Sequence, residues 1–104
     1  MFQCLFLAGF KPVPDSTHFG ELDPTTGSAP GYVNGLAMKL DGISEPVIVS
    51  FYSSAATAAK SHRIEAELAH GTSGGSATRD NVVVWHAVKV PAAALTKIEG
   101  CAFR

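Results

Sequence analysis

Three residues of this 104-residue chain stand out for acid–base chemistry because they fall on regular elements of one strand–helix–strand unit: His62, Glu65 and His86. A carboxylate beside an imidazole orients the ring and raises its basicity, and such a pair can move a proton to or from a substrate. His86 lies in the alternating run N-V-V-V-W-H-A-V-K-V, where Val82, Val84, Val88 and Val90 share its face. A lone imidazole among valines reads first as a buried structural histidine that needs hydrogen-bond partners. Its partner is expected to be Glu65 if the preceding helix packs on that face, and Glu65 close to His62 or to His86 would form the acid–base pair. Glu65 taken alone reads as a carboxylate at a packing margin, in water. No third residue completes a catalytic set, so His86, Glu65 and His62 stand as candidates and enzyme status is left open.

Trp85, Tyr52 and Tyr32 are amphipathic aromatics able to line a ligand pocket or an interface. Core packing is the plainer reading for Trp85. Ser53 and Ser54 stand before an alanine-rich stretch and are better helix caps than nucleophiles. His70 falls on the polar helix face. His18 lies near Asp15, Glu21 and Asp23, but that spacing matches no known cation cage, and no metal or cofactor is expected. The nucleotide-loop, dinucleotide, zinc-protease, dithiol and nucleophile-elbow signatures are absent. The Gly71–Ser76 run, G-T-S-G-G-S, follows a helix and lacks a lysine. It reads as a linker rather than an anion cradle.

The elements that must position these residues follow from periodicity. Phe2, Cys4, Phe6 and Ala8 alternate with Gln3, Leu5 and Leu7, which suggests a first strand at 2–8 covered on both sides. Residues 11–31 form a long Pro/Gly-rich loop, with Phe19 and Leu22 pinning its middle. Tyr32–Leu40 suggests a strand, with Asn34-Gly35 and Asp41-Gly42 as turns. Val47–Tyr52 is a firmer, β-branched and aromatic strand. A helix capped by Ser53 or Ser54 runs to about His70 and stops at Gly71. Ala55, Ala59, Ala66 and Ala69 line one side of it, and His62 lies within that stripe. A short strand at Ser76–Arg79 turns at Asp80-Asn81 into the strongest strand, Val82–Val90. Pro91 opens a short helix that Gly100 ends.

The chain therefore reads as a single α+β domain over residues 1–104, a mostly antiparallel sheet covered on one face by two helices. Its back half, β-α-β-β-α, has a partly ferredoxin-like outline. Apolar residues make up 46% of the chain, which excludes disorder throughout. A net charge of -1 lacks the positive field of a nucleic-acid binder and leaves self-association electrostatically unopposed. The apolar start is too short for a signal segment or a bilayer span, so no membrane role and a cytoplasmic location are expected. Cys4 and Cys101 are expected as free thiols in that compartment, with a structural disulfide the lesser reading. Two functions follow. The favoured one is a non-enzymatic domain working through self-association, as a homodimer, or through a protein partner. The alternative is a small α+β dimeric enzyme or small-molecule carrier with a histidine-bearing pocket between sheet and helix.

Overall fold

A computed structural model describes residues 2–14, 32–69 and 74–103. In chain order the elements are α1 (Phe2–Leu7), β1 (Val13–Pro14), β2 (Tyr32–Met38), β3 (Val47–Tyr52), α2 (Ala55–Ala69), β4 (Gly75–Arg79), β5 (Val82–His86) and α3 (Ala92–Ala102). The five strands form one sheet in the order β1-β2-β3-β5-β4, with every neighbouring pair antiparallel. The α+β class follows directly. Because β5 is inserted between β3 and β4, the β3–α2–β4 segment forms a split β-α-β arrangement.

β3 is apolar and β-branched on both of its faces, so it needs cover on both sides. The helices divide accordingly: two of them, α1 and α3, cover one face, and α2, expected beside α3, lies on the other. Val47, Val49, Val82 and Val84 pack with Leu5 of α1 and with Ile98, Cys101 and Ala102 of α3. On the opposite face Tyr52 and Val83 pack with Ala58 of α2. A complete ferredoxin-like outline is not reproduced, since α3 crosses to the other side of the sheet from α2.

The first segment is a helix, not the expected strand. Two apolar faces gave period-two and helical readings equal footing. What settles the conformation is its end. The Phe10 amide donates to the Leu5 carbonyl at 3.0 Å and the Gly9 amide to the Phe6 carbonyl at 3.1 Å, while Gly9 has φ of 99°. This is a Schellman stop, with Leu5 and Phe10 joining the same apolar cluster. Ordering each of its residues costs about 1–2 kcal/mol. The burial of Leu5 returns only about 1.5–3 kcal/mol in total, so a six-residue helix needs a further tether. Cys4 and Cys101 supply it as a disulfide, Cα to Cα 5.7 Å, joining α1 to α3. The free-thiol expectation is corrected: residues 97 apart are brought together by the helices that flank the same valine face.

Several turns behave as their residues dictate. Gly42 takes φ of 77° as the Ile43 amide donates to the Leu40 carbonyl. Asp80 takes φ of 53° in the two-residue β4–β5 turn, a conformation aspartate tolerates. Asn81 then ties that turn to the end of β3, its side-chain amide donating to the Tyr52 carbonyl and its carbonyl accepting from the Tyr52 amide. Asn34-Gly35, expected as a turn, stays within β2. The register shift between Tyr32 and Asn34 absorbs the irregularity as a bulge.

Ser54 is the cap of α2: its Oγ accepts from the Thr57 amide at 3.2 Å, and Thr57 Oγ1 donates back to the Ser54 carbonyl. Gly71, the expected stop, lies outside the described residues, as do most of the Pro/Gly-rich loop (15–31) and its Phe19 and Leu22 anchors. Gly100 does not end α3. The helix continues to Ala102 because Cys101 and Ala102 are buried beyond it and hold the last turn to the core.

Candidate functional site

β5 stops at His86 rather than running to Val90, opposite Val47, the first residue of β3, and a side-chain hydrogen bond of that histidine accompanies the stop. Its Nδ1 lies 2.8 Å from the Val88 carbonyl. Nδ1–H is the donor there, which fixes the tautomer and draws the chain into a local turn that competes with the sheet ladder. The ring is 8% exposed, and its backbone lies opposite Val47 and Gly75. The Gly74-Gly75 pair makes room for it. A Cβ on Gly75 would stand 3.2 Å from His86 Nε2, and one on Gly74 would collide with the His86 carbonyl and sit 2.7 Å from that of Ala87. These are the demands of a close-packed structural histidine, and they explain two of the glycines in the Gly71–Ser76 run.

His62 is elsewhere. Its Nδ1 lies 2.9 Å from Ser76 Oγ, so α2 is hydrogen-bonded to β4. Ser76 is opposite Trp85 in the β4–β5 register, while His86 is opposite Gly75. Successive residues of a strand point to opposite faces. His62, Ser76 and Trp85 therefore gather on the α2 side of the sheet, and His86 belongs to the side of α1 and α3. The structure does not bring His62 and His86 together. The side chain of Glu65 lies outside the described residues, as do His18 and His70.

The α2 side has its own polar character. Ser61 is buried, His62 is half-buried, and Ala58 rather than the Ala55–Ala66 stripe is the alanine that meets the sheet. Ala55 and Ala66 are exposed. Trp85 is half-buried, between Ile48 and Ser76 on neighbouring strands. Its Nε1–H is enclosed and has no acceptor. An unsatisfied buried donor costs about 1–3 kcal/mol, so this atom is the one described position where an added acceptor would be rewarded. Sequence reasoning named Trp85 and His62 separately but missed Ser76, whose role as the link between them depends on register.

Tyr52 is a core residue, 2% exposed against Ala58 and Val83. Tyr32 has its backbone opposite that of Tyr52, and its side chain lies outside the described residues. Among the described residues no three His, Cys, Asp or Glu side chains come together as a metal site. No described helix is long and apolar enough to cross a membrane. Among the described residues the most exposed large apolar side chains are Phe6 and Leu7 at the end of α1, Val13 in the edge strand β1, and Val33 at the β2 bulge. No family model, curated protein or solved structure matches the chain.

Proposed function

We propose that this chain is a small non-enzymatic domain that acts by associating with a second copy of itself. The supporting observation is the set of apolar side chains turned to solvent, above all Leu7 at 77% and Phe6 at 59% exposure. They are consecutive residues on a helix carrying no charged residue. A net charge of -1 leaves nothing to oppose contact between like copies. On α2, Ala58 packs on the chain's own sheet, while Ala55 and Ala66 of the alanine stripe are exposed and add small side chains that a second copy could approach closely. Sedimentation equilibrium is the test. A dimer at about 100 μM chain that Leu7→Asp converts to monomer supports the reading, and a wild-type monomer at that concentration ends it.

A carrier or enzyme reading rests on a different observation, the acceptor-less Trp85 Nε1–H beside the His62–Ser76 pair. Here His62, not His86, is the histidine between sheet and helix. The ligand would be a small molecule presenting a carbonyl or carboxylate oxygen to the indole donor. Trp85 is the sole tryptophan, so its fluorescence reports the site directly. A saturable spectral shift on titration with small carboxylates, weakened in His62→Ala, supports this reading; no shift removes it.

The cytoplasmic location is likewise part of the proposal. A bond between Cys4 and Cys101 in a reducing compartment would belong to the class that forms and breaks in use.

A further inference from the structure

We propose that the Cys4–Cys101 disulfide is a redox latch: a dithiol reductant opens it, α1 leaves the body, and the sheet stays folded. The two sulfurs sit on different helices. Cys4 is half-buried on α1, whereas Cys101 is 4% exposed on α3. Cys4 is thus the sulfur an external thiolate can reach.

The exchange balances in two steps. A thiolate of the reductant bonds to Cys4 Sγ, the S–S bond breaks, and Cys101 leaves as a thiolate that takes a proton. The second thiol of the reductant then attacks its own sulfur in the mixed disulfide and expels Cys4, which is protonated in turn. The protein gains two electrons and two protons, and the dithiol becomes a disulfide.

The mechanical part follows from how little else holds α1. It has six residues, too few to persist alone. Among its described side chains only Leu5 is fully buried, while Phe6 and Leu7 face solvent. Gly9 follows it with φ of 99°, so once the stop's hydrogen bonds open the helix ends at a residue with no side chain to restrict its backbone. The sheet does not depend on α1 in the same way. β3 is paired on both sides by β2 and β5, α2 covers one face, and Ile98 of α3 remains on the other. Reduction would uncover the α3 surface beneath α1. The inference concerns the single chain, without the Phe6 and Leu7 contacts that self-association would add, and its test is run at a concentration where the chain is monomeric.

Amide hydrogen exchange on the full chain, oxidised and then reduced with excess dithiothreitol, tests it, with alkylation and mass measurement counting free thiols in each state. On reduction, amides of residues 2–10 should lose protection by roughly tenfold or more while those of β3 and β5 keep theirs. The Cys4→Ser/Cys101→Ser double variant should show the reduced pattern with or without dithiothreitol. Oxidised glutathione should restore protection to the reduced wild type. Unchanged protection of residues 2–10 once two free thiols are present would overturn the latch. So would simultaneous loss across β3 and β5, which would make the bond a staple of the whole fold, or two free thiols that oxidised glutathione fails to join.

Discussion

His62 and His86 stand on opposite faces of one sheet, each hydrogen-bonded through Nδ1, His62 to Ser76 Oγ and His86 to the Val88 carbonyl. Ser76 and Gly75 are adjacent on β4, and adjacency is what separates the histidines: one residue along a strand is a change of face. The two rings therefore serve two different cores. His62 joins α2 to β4, and His86, the last residue of β5, lies within the layer that α1 and α3 cover.

Two sites without a shared partner should be energetically independent. In a double-mutant cycle, His62→Ala and His86→Ala should add to within about 0.5 kcal/mol of unfolding free energy. Each single change removes a hydrogen bond, and His86→Ala should cost more because it also vacates a buried site. Urea denaturation of the four proteins measures this. A coupling beyond about 1 kcal/mol would show that the rings share a network after all.

The glycines of the chain should separate sharply. Gly74→Ala places a methyl group against the His86 and Ala87 carbonyls, backbone atoms that cannot swing away. It should destabilise by about 1–3 kcal/mol. Gly100→Ala meets no atom within 4 Å and lies inside α3. It should stabilise by roughly 0.5–1 kcal/mol, since glycine loses more freedom than alanine in a helix. Thermal melts of the two variants should move in opposite directions.

The start of α2 offers a comparison between neighbours. Ser54 accepts the Thr57 amide and Ser53 has no such role. Ser54→Ala should cost about 1 kcal/mol and Ser53→Ala close to nothing. Equal losses by chemical denaturation would mean that the cap is not where the hydrogen bond places it.

The core facing α3 can be probed through Ile98, which is fully buried among the valines of β3 and β5. Ile98→Ala should cost about 2–5 kcal/mol through lost transfer energy and the cavity left behind. A loss under about 1 kcal/mol, measured with the disulfide intact, would show that α3 rests on the sheet loosely.

The sequence by itself determined the parts in which local chemistry and burial agree. β3 and β5 are β-branched and leave little choice but strand. The alanine-rich stretch after a serine cap leaves little choice but helix. Asp80-Asn81 and Asp41-Gly42 supply the left-handed or tight conformations their turns require. Val82–His86 was legible as strand, but its end at His86 was not, because it falls where the partner strand β3 begins, a matter of register, and where the His86 ring bonds back to the Val88 carbonyl.

Tertiary structure alone decided the rest. An apolar segment as short as Phe2–Leu7 carries both periods at once, so its packing on α3 and the Gly9 stop select the helix. The Cys4–Cys101 pairing depends on two helices meeting over the same valines, a proximity that residues 97 apart cannot announce. Which side of the sheet each helix takes decides whether two histidines can cooperate. Alternation along a strand reveals two faces, yet nothing in the alternation says which face a helix elsewhere in the chain will cover. Here α2 took the face of Ser76 and Trp85, and so His62 and His86 were parted by the thickness of the sheet.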